Sequence, residues 1–577
     1  MAHLSAIANS CQPLNRKLFF SELYFLVAVL SATLSSVPLA YGDFAIATFA
    51  NSGAGGSLAA GKVAWADYND DGFLDVNLGS NLLRGDGPVS GQYILTNVNG
   101  SSDDALWGDY DKDGDLDLFA GSSGQLWENT GAGFANNVTV SGVPLRTRGM
   151  AWVDINGDTY LDVYIGGFES ANSSVYYEDA IFINDTVGGF NKNQSFFPGG
   201  SPGANPGRGI TAADWDQDGD MDIYVSNYRL ETNQLWRNDG SGNLTNVSGT
   251  HNATGGGGHS IGSAFGDFNN DGLMDLFAGN FAHGGQPESR FLMNLGAGLD
   301  YQFEDSNPAD TNPAAGNQAS ITYVETYGSP TFGDIDNDGD LDLYFSAVGF
   351  GNTGKLWKNQ FVETGQLTYT DITTTWNLQS EIAAFSTYQA AFGDYNDDGF
   401  LDLITAKRLF ENDGTDNGAS LAGNHYLKIK LDGAAGGFDA TAIGAQVRID
   451  LGGGQIVTRQ VEGAVGEGNQ NDHTLHFGLG TTSGPLQLEI MWPGGFTEFV
   501  NISGVDQTVT IAPGFGADTW SNNAGGDWND TGNWLGGVVP SGNTEGASFS
   551  GSISAPSTVF TDSTVTVKSV LFNSGNT

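Results

Sequence analysis

The chain has 577 residues, of which 67 are Asp or Glu and only 21 are Lys or Arg, for a formal net charge of −46. Such a surface repels phosphate backbones and anionic bilayers, which excludes nucleic acid and an acidic membrane as partners. Charged residues make up only 15% of the chain and hydrophobic ones 39%, so it can bury a core and is no disordered acidic tail, and its length calls for two or more domains. The 85 glycines suit tight turns between short strands, and no amphipathic helical period persists beyond residue 42.

Residues 1–42 read as a secretion signal. Arg16 and Lys17 precede an apolar stretch, Leu18 to Leu34, interrupted by Glu22, and Ala40-Tyr41-Gly42 is a small-x-small cleavage site that leaves Asp43 at the mature N-terminus. A retained membrane anchor is the alternative. The only cysteine, Cys11, lies in this segment. The exported chain would then hold no disulfide and no membrane span, and must be held by packing or by metal. The expected location is outside the cell, secreted or on its surface, and the lack of cysteines favours a bacterium.

Next comes a nonapeptide, D-x-[DN]-x-D-[GT]-x-[LM]-D, in seven copies. Side chains at positions 1, 3 and 5 of a tight loop converge on one point, and a carbonyl at position 7 with the Asp at position 9 completes an oxygen cage. The candidate ligands are Asp67, Asn69, Asp71 and Asp75 in the first loop, and Asp109, Asp111, Asp113 and Asp117 in the second. The third has Asp154, Asn156, Asp158 and Asp162, and the fourth Asp214, Asp216, Asp218 and Asp222. The fifth has Asp267, Asn269, Asp271 and Asp275, and the sixth Asp334, Asp336, Asp338 and Asp342. The seventh has Asp394, Asn396, Asp398 and Asp402. Hard oxygen donors without His or Cys select calcium, up to seven ions with one per repeat. Gly at position 6 permits a positive φ. The third copy has Thr159 there, so its loop is strained or its site weaker.

An EF-hand is excluded. Position 12 is Leu78, Ala120, Ile165, Val225, Ala278, Phe345 or Thr405, never Glu. Apolar residues at positions 8, 10 and 12, as in Leu341, Leu343 and Phe345, have the period of a strand. Trp65, Trp107, Trp152, Phe265, Phe332 and Phe392 recur two residues before the first Asp. Each loop therefore joins two strands. A further strand ends at Asn97, Asn129, Asn184, Asn238, Asn294, Asn359 and Asn412, and a fourth often follows, as at Phe134 and Phe190. Seven units of four short strands predict an all-β, seven-bladed β-propeller over residues 43–420, with a solenoid as the competing architecture. The last unit has little room for a fourth strand, and Phe44 to Phe49 can supply it and close the ring.

These units resemble the FG-GAP (VCBS) repeats of integrin α-subunit propellers and bacterial surface proteins. The resemblance implies calcium near the rim of each blade, at the Asp and Asn positions named above. Residues 424–512 form a small β domain of alternating strands without calcium loops. It resembles the ASPIC/UnbV domain at Ala442-Ile443-Gly444-Ala445, His476-Phe477-Gly478-Leu479-Gly480 and Trp492-Pro493. That family implies no activity for particular residues. Residues 513–577, a Gly/Asn-rich β tail with Trp520, Trp528 and Trp534, look like the start of an autotransporter-type repeat, and the chain reads as a fragment of something longer.

No catalytic constellation is found. Gly258-His259-Ser260-Ile261-Gly262 fits G-x-S-x-G but leads into a strand, not a strand-turn-helix elbow. His251, His259 and His283 read as loop residues, and His473 and His476 as opposite faces of a strand. The basic residues form no cluster along the sequence. The function expected is an adhesion or ligand-binding module for an extracellular protein or glycan, gripping it on the end face where the loops gather. A structural surface element and a polysaccharide-active enzyme are the alternatives. Most Trp and Tyr fill the core. The sequons at Asn137, Asn243 and Asn246 matter only in a glycosylating host.

Overall fold

The computed structural model describes residues 44–46, 61–89, 92–98, 104–131, 133–284, 286–306, 321, 326–348, 352–383, 388–416 and 419–514, with four short stretches between 526 and 572. The signal segment, Cys11, the side chain of Asn137, and Trp520 and Trp534 lie outside the described residues. Residues 43–577 form one compact unit, and it is all-β apart from a few short helical turns.

Seven four-stranded antiparallel sheets follow one another along residues 44–412. In the second the strands are Ala105–Gly108, Asp117–Ala120, Gln125–Asn129 and Phe134–Thr139, each paired with the next. The acidic nonapeptide is the turn between the first and second strands in every sheet. First strands of successive sheets lie side by side, and that of the seventh sheet (Ala390–Gly393) lies beside that of the first (Val63–Ala66), closing a ring. Aromatic side chains of the first strands tie the ring together. The Trp107 indole N–H donates to Ala64 O at 3.1 Å, and that of Trp152 to Leu106 O at 3.4 Å. Trp65, Trp107, Trp152 and Trp215 are fully buried, as expected of core residues.

The N-terminal segment completes the seventh sheet. Phe44–Ile46 pairs antiparallel with Arg408–Asn412, Phe44 opposite Asn412. One strand assignment needs correction. In the first sheet the third strand is Asn81–Val89, and Gln92–Val98, which contains Asn97, is the fourth. Gly85 occupies the place that Asn holds elsewhere. A Cβ there would come within 2.4 Å of Leu74 O, so the repeated Asn is replaced and the pattern breaks.

The C-terminal part has two sheets. His425–Leu431 lies between Leu475–Gly480 and Gln507–Ile511, and Gln455–Gln460, Gln446–Gly452, Leu486–Trp492 and Phe496–Ile502 form the other. The segment 461–472 leaves these sheets and runs among the first strands of the ring, touching all seven. Gln470 exchanges backbone hydrogen bonds with the first sheet (N–H to Val63 O, 2.8 Å; O from Trp65 N–H, 3.2 Å), and its side chain bonds both backbone groups of Trp107 in the second. Gly463 O accepts from Trp152 N–H in the third, and Ala464 O from Thr211 Oγ1 in the fourth. Gly466 pairs with Ser263 in the fifth, Glu467 N–H donates to Ser329 Oγ in the sixth, and Asn471 Oδ1 accepts from Phe392 N–H in the seventh. Gly463 and Gly466 make this approach possible, because a Cβ would fall 2.1 Å from Trp152 O or 2.2 Å from Ser329 Oγ.

Candidate metal centres

The loops are built by short backbone-to-carboxylate hydrogen bonds. In the first, the Asp67 carboxylate accepts from Asp71 N–H and Gly72 N–H, both at 3.1 Å, and Asp71 Oδ1 accepts from Phe73 N–H at 3.0 Å. The same pattern recurs at Asp214 and Asp218, and at Asp334 and Asp338. Position 6 has positive φ throughout, from 86 to 110° at the glycines that occupy it in six loops, as in Gly72 (86°) and Gly339 (110°), and 71° at Thr159 in loop three. Thr159, β-branched in the left-handed region, bears a strain of about 1–2 kcal/mol. Position 4 also has positive φ, in Asp70, Lys112, Gln217, Asn270, Asn337 and Asp397, which the sequence reading did not foresee.

The ninth-position carboxylates are fully buried in all seven loops. Each ties its loop to the third strand. Asp117 Oδ2 accepts from Tyr110 N–H (3.2 Å) and Oδ1 from Asn129 N–H (2.8 Å), and Asp342 does the same with Ile335 and Asn359. These oxygens are structural pins, with second lone pairs left for a metal. Burial pushes their acidity down: the carboxyl of Asp75 rises to about 8 and that of Asp117 to about 9, while Asp109 rises to about 7. Desolvation is the main cause in each.

The Asn that ends the third strand has a role the sequence did not disclose. Its side-chain amide donates to the second-position carbonyl of the preceding loop. Asn129 reaches Tyr68 O (2.7 Å), Asn184 Tyr110 O (2.7 Å), Asn238 Ile155 O (3.0 Å), Asn294 Trp215 O (2.9 Å), Asn359 Phe268 O (3.1 Å) and Asn412 Ile335 O (2.7 Å). The first six acidic loops are thus each held by the next sheet.

Carboxylate oxygens converge to within 4.8 Å of one another in three loops: Asp109, Asp111 and Asp117; Asp214, Asp216 and Asp218; Asp334, Asp336 and Asp342. Asp338, Asp340 and Glu363 make a fourth grouping beside the last. Several of these oxygens are buried without a hydrogen-bond partner, among them Asp109 Oδ1, Asp216 Oδ1, Asp336 Oδ1 and Asp340 Oδ1. An unpartnered buried carboxylate oxygen is costly, and a hard cation removes that cost, so the donor set fits calcium. The other four loops have Asn at position 3, and its amide donates to the fifth-position Asp: Asn69 to Asp71, Asn156 to Asp158, Asn269 to Asp271 and Asn396 to Asp398, at 2.9–3.0 Å. There the side chains meet as a hydrogen-bonded pair, with one fewer formal charge.

The end face that carries the loops is covered, contrary to its expected role as the gripping surface. Ala440 N–H donates to Asp109 Oδ2 (3.0 Å), Ile456 N–H to Asn270 O (2.8 Å), Gly480 N–H to Asn337 O (2.9 Å) and Gly494 N–H to Gly219 O (3.0 Å). Lys112 Nζ and Thr159 Oγ1 both reach Gly437 O. Lys428 pairs with Asp394 (2.8 Å) and Asp397 (2.6 Å), and Lys430 with Asp70 (3.3 Å). The sheets of the C-terminal part and the turns between them therefore meet every loop, with lysines set against acids.

Basic residues do gather at the other ends of the first strands, which corrects the sequence reading. Arg208 donates to Glu467 (2.6 Å) and to the Tyr388 hydroxyl, and Gln389 also donates to Glu467 (3.1 Å). Although burial opposes it, Arg208, Lys62 and Arg148 hold the Glu467 carboxyl below its ordinary value. Arg208 packs over Tyr228 (4.9 Å) and Phe168 (5.4 Å), and Arg148 over Phe168 (5.3 Å). Three cations thus face one carboxylate. No local pattern signals this, because the residues are far apart along the chain.

The remaining candidates separate. Ser260 lies within the strand His259–Gly266, and its hydroxyl donates to Asn280 Oδ1 at 2.6 Å. His259 and His283 are neighbours (5.9 Å), whereas His251 packs on Trp215 (5.2 Å). His473 and His476 are both buried; the first meets Gln470 and the second Gly399 O.

Residues 437–517 match the family described as ASPIC and UnbV, and residues 109–165 and 214–278 match the FG-GAP-like repeat. The chain is distantly similar to cartilage acidic protein 1. Identity to the Xenopus tropicalis protein is 25% over 388 residues, which covers 63% of this chain and 54% of that one. Identity to the Mus musculus protein is 24% over 294 residues, with 50% and 42% covered. The chain thus spans about half the length of these relatives. Among solved structures, an Agrocybe aegerita lectin described with non-reducing terminal N-acetylglucosamine aligns at TM-score 0.35 and 16% identity, over 54% of this chain and 79% of that one. A Staphylococcus aureus virginiamycin B lyase aligns at 0.36 and 10%, over 61% and 93%. Likenesses this weak say nothing of ligand or reaction.

Proposed function

We propose, for a chain that carries FG-GAP-like repeats and a C-terminal ASPIC and UnbV domain, that it is a secreted or cell-surface, seven-bladed β-propeller stiffened by calcium and used as a ligand-binding or adhesion module. The observation that carries this reading is the convergence of carboxylate oxygens of Asp109, Asp111 and Asp117 in the second loop, with Asp109 Oδ1 buried and without a hydrogen-bond partner. Side chains at positions 1, 3, 5 and 9 would hold the ion, which supplies the positive charge the loops lack. Each ion bound to the folded state adds stability by mass action. Extracellular sites of this class bind at about 10⁻⁴ to 10⁻³ M, which suits a calcium-rich medium.

The ligand surface on this reading is not the loop face, which the C-terminal sheets cover. The mouth formed by Lys62, Arg148, Arg208, Phe168, Tyr228 and Tyr388 joins cations to aromatic rings in a protein otherwise strongly acidic. That chemistry favours a glycan bearing carboxylate or sulfate groups, with rings to stack on sugars and cations to pair with the acid. The test is an array of neutral, uronic-acid and sulfated glycans, probed with the chain in calcium and in EDTA. Calcium-dependent capture of the acidic class, weakened by Arg148→Ala, is expected. Equal capture of neutral and acidic glycans would refute the ligand assignment.

A further inference from the structure

The seven loops are of two kinds, and the kinds alternate. The second, fourth and sixth have Asp at positions 3 and 7: Asp111 and Asp115, Asp216 and Asp220, Asp336 and Asp340. The other four have Asn at position 3 with Phe, Tyr or Leu at position 7, as in Asn69 with Phe73 and Asn269 with Leu273. Each Asp-rich loop therefore holds five carboxylates, against four in the first and seventh loops and three in the third and fifth, and demands the most compensation.

What meets that charge differs among the three. The residue before the last of the third strand leans toward the loop. In the fourth sheet it is Arg237, whose Nη2 lies 2.5 Å from Asp216 Oδ2 and 3.7 Å from Asp218 Oδ2. In the sixth it is Lys358, whose Nζ contacts Asp336 Oδ2 and lies 3.4 Å from Asp338 Oδ2 and 3.1 Å from Glu363 Oε1. Asp216 and Asp336 are almost wholly buried, so these pairs are shielded from water. In the second sheet the same place holds Glu128, whose charge adds to that of Asp111. Arg84, its counterpart in the first, pairs with Asp86 instead (2.7 Å). Lysines of the C-terminal sheets approach differently. Lys428 and Lys430 pair with positions 1 and 4 (Asp394 and Asp397, Asp67 and Asp70), whereas Arg237 and Lys358 pair with positions 3 and 5.

We infer that Arg237 and Lys358 are built-in counter-ions that stand in for the metal in the fourth and sixth loops, so that calcium goes to the second loop and to the Asn-type loops. The inference rests on the calcium reading above and deepens it. An ammonium or guanidinium between the third- and fifth-position carboxylates takes oxygens that a cation needs and cancels the charge that attracts it. A loop so filled holds its shape without calcium. The second loop has Glu128 in place of that cation, and its own Lys112 reaches Thr159 Oγ1 and Gly437 O instead of the third- and fifth-position carboxylates, so it has no such substitute between them. The ring would thus contain sheets whose loops are permanently set and sheets whose loops respond to the medium.

The experiment counts calcium bound per chain, by equilibrium dialysis with radioactive calcium, in the intact protein and in Arg237→Met, Lys358→Met and Glu128→Lys. Arg237→Met and Lys358→Met are each expected to gain one calcium and to lower the melting temperature in EDTA. Glu128→Lys is expected to lose one and to melt higher in EDTA. It keeps the test open should the methionine variants fail to fold. Seven ions on the wild type, with no gain in the methionine variants, would overturn the inference and leave the calcium reading intact. No binding by any of the chains would overturn both.

Discussion

Replacing Glu467 by Gln tests whether segment 461–472 is pinned in the ring by charge. Glu467 is fully buried, and its side chain meets Arg208 at 2.5–2.6 Å and Gln389 at 3.1 Å. The Arg208 side chain is itself 8% exposed. Removing one member of such a pair leaves a guanidinium that water cannot reach, at a typical cost of about 3–5 kcal/mol. Glutamine keeps the shape and can still accept one bond from Arg208, which places the expected loss at about 3 kcal/mol. Lys62 and Arg148, half-exposed, regain solvent and add little. The double variant Arg208→Met with Glu467→Met removes both charges and is expected to recover most of the loss, since an apolar pair of similar volume is close to neutral. Equilibrium urea unfolding followed by tryptophan fluorescence reads both, with thermolysin cleavage within 461–472 as the local report. A loss below about 1 kcal/mol for Glu467→Gln, with unchanged cleavage, would refute the pinning argument.

Three further outcomes are expected. Asn238→Ala deletes bonds to Ile155 O (3.0 Å) and Met221 O (3.3 Å) and strands buried acceptors, so it should cost about 1–3 kcal/mol in urea unfolding, while exposed Asn243→Ala costs almost nothing. Asp109→Asn with Asp113→Asn should lower both bound calcium and the melting temperature gained from it; unchanged stoichiometry would remove the second loop from the metal sites. Without calcium, stability should fall as pH rises from about 6.5 to 9. The carboxyls of Asp109 (about 7), Asp75 (about 8) and Asp117 (about 9) keep protons in the folded state that the unfolded chain has already released, so deprotonation opposes folding in that window. Calcium should flatten the profile, and a calcium-free melting temperature that rises over the same range would refute the assignment.

Much of the ring was legible because each repeat marks itself. The Asp spacing locates a turn, the period-two run after it locates a strand, and counting the copies leads to seven sheets. Even the borrowing of Phe44–Ile46 by the seventh sheet followed from the shortage of chain after Asn412. The first sheet misled, because Gly85 stands where the marker Asn should be and Asn97 lies one strand later. Segment 461–472 carried no signal. Its sequence, VEGAVGEGNQND, has neither period nor turn signature, and its partners on the ring lie more than 60 residues away along the chain. Contacts of that kind are set by the shape of the finished ring, and a local reading of sequence has no access to it. The covered loop face follows from the same contacts. The candidate site residues were legible because the acidic nonapeptide repeats. Arg237 and Lys358 were missed because they occur singly, in strands read only for their terminal Asn.

The strand Phe44–Ile46, paired with Arg408–Asn412, has a consequence for the order in which the molecule forms. Six sheets are each made from one continuous stretch and can assemble as soon as that stretch is available. The seventh must wait until residues more than 360 positions apart meet, and closing so long a loop is slow. Segment 461–472 comes later still, and its contacts with all seven first strands exist only once the ring is round. The earlier sheets would therefore stand as an open arc, with apolar flanks and a free strand edge exposed, until the last part of the chain arrives. For such a protein the hazardous interval is the pause before closure, and substitutions in three N-terminal residues should raise aggregation during refolding more than their small buried area suggests.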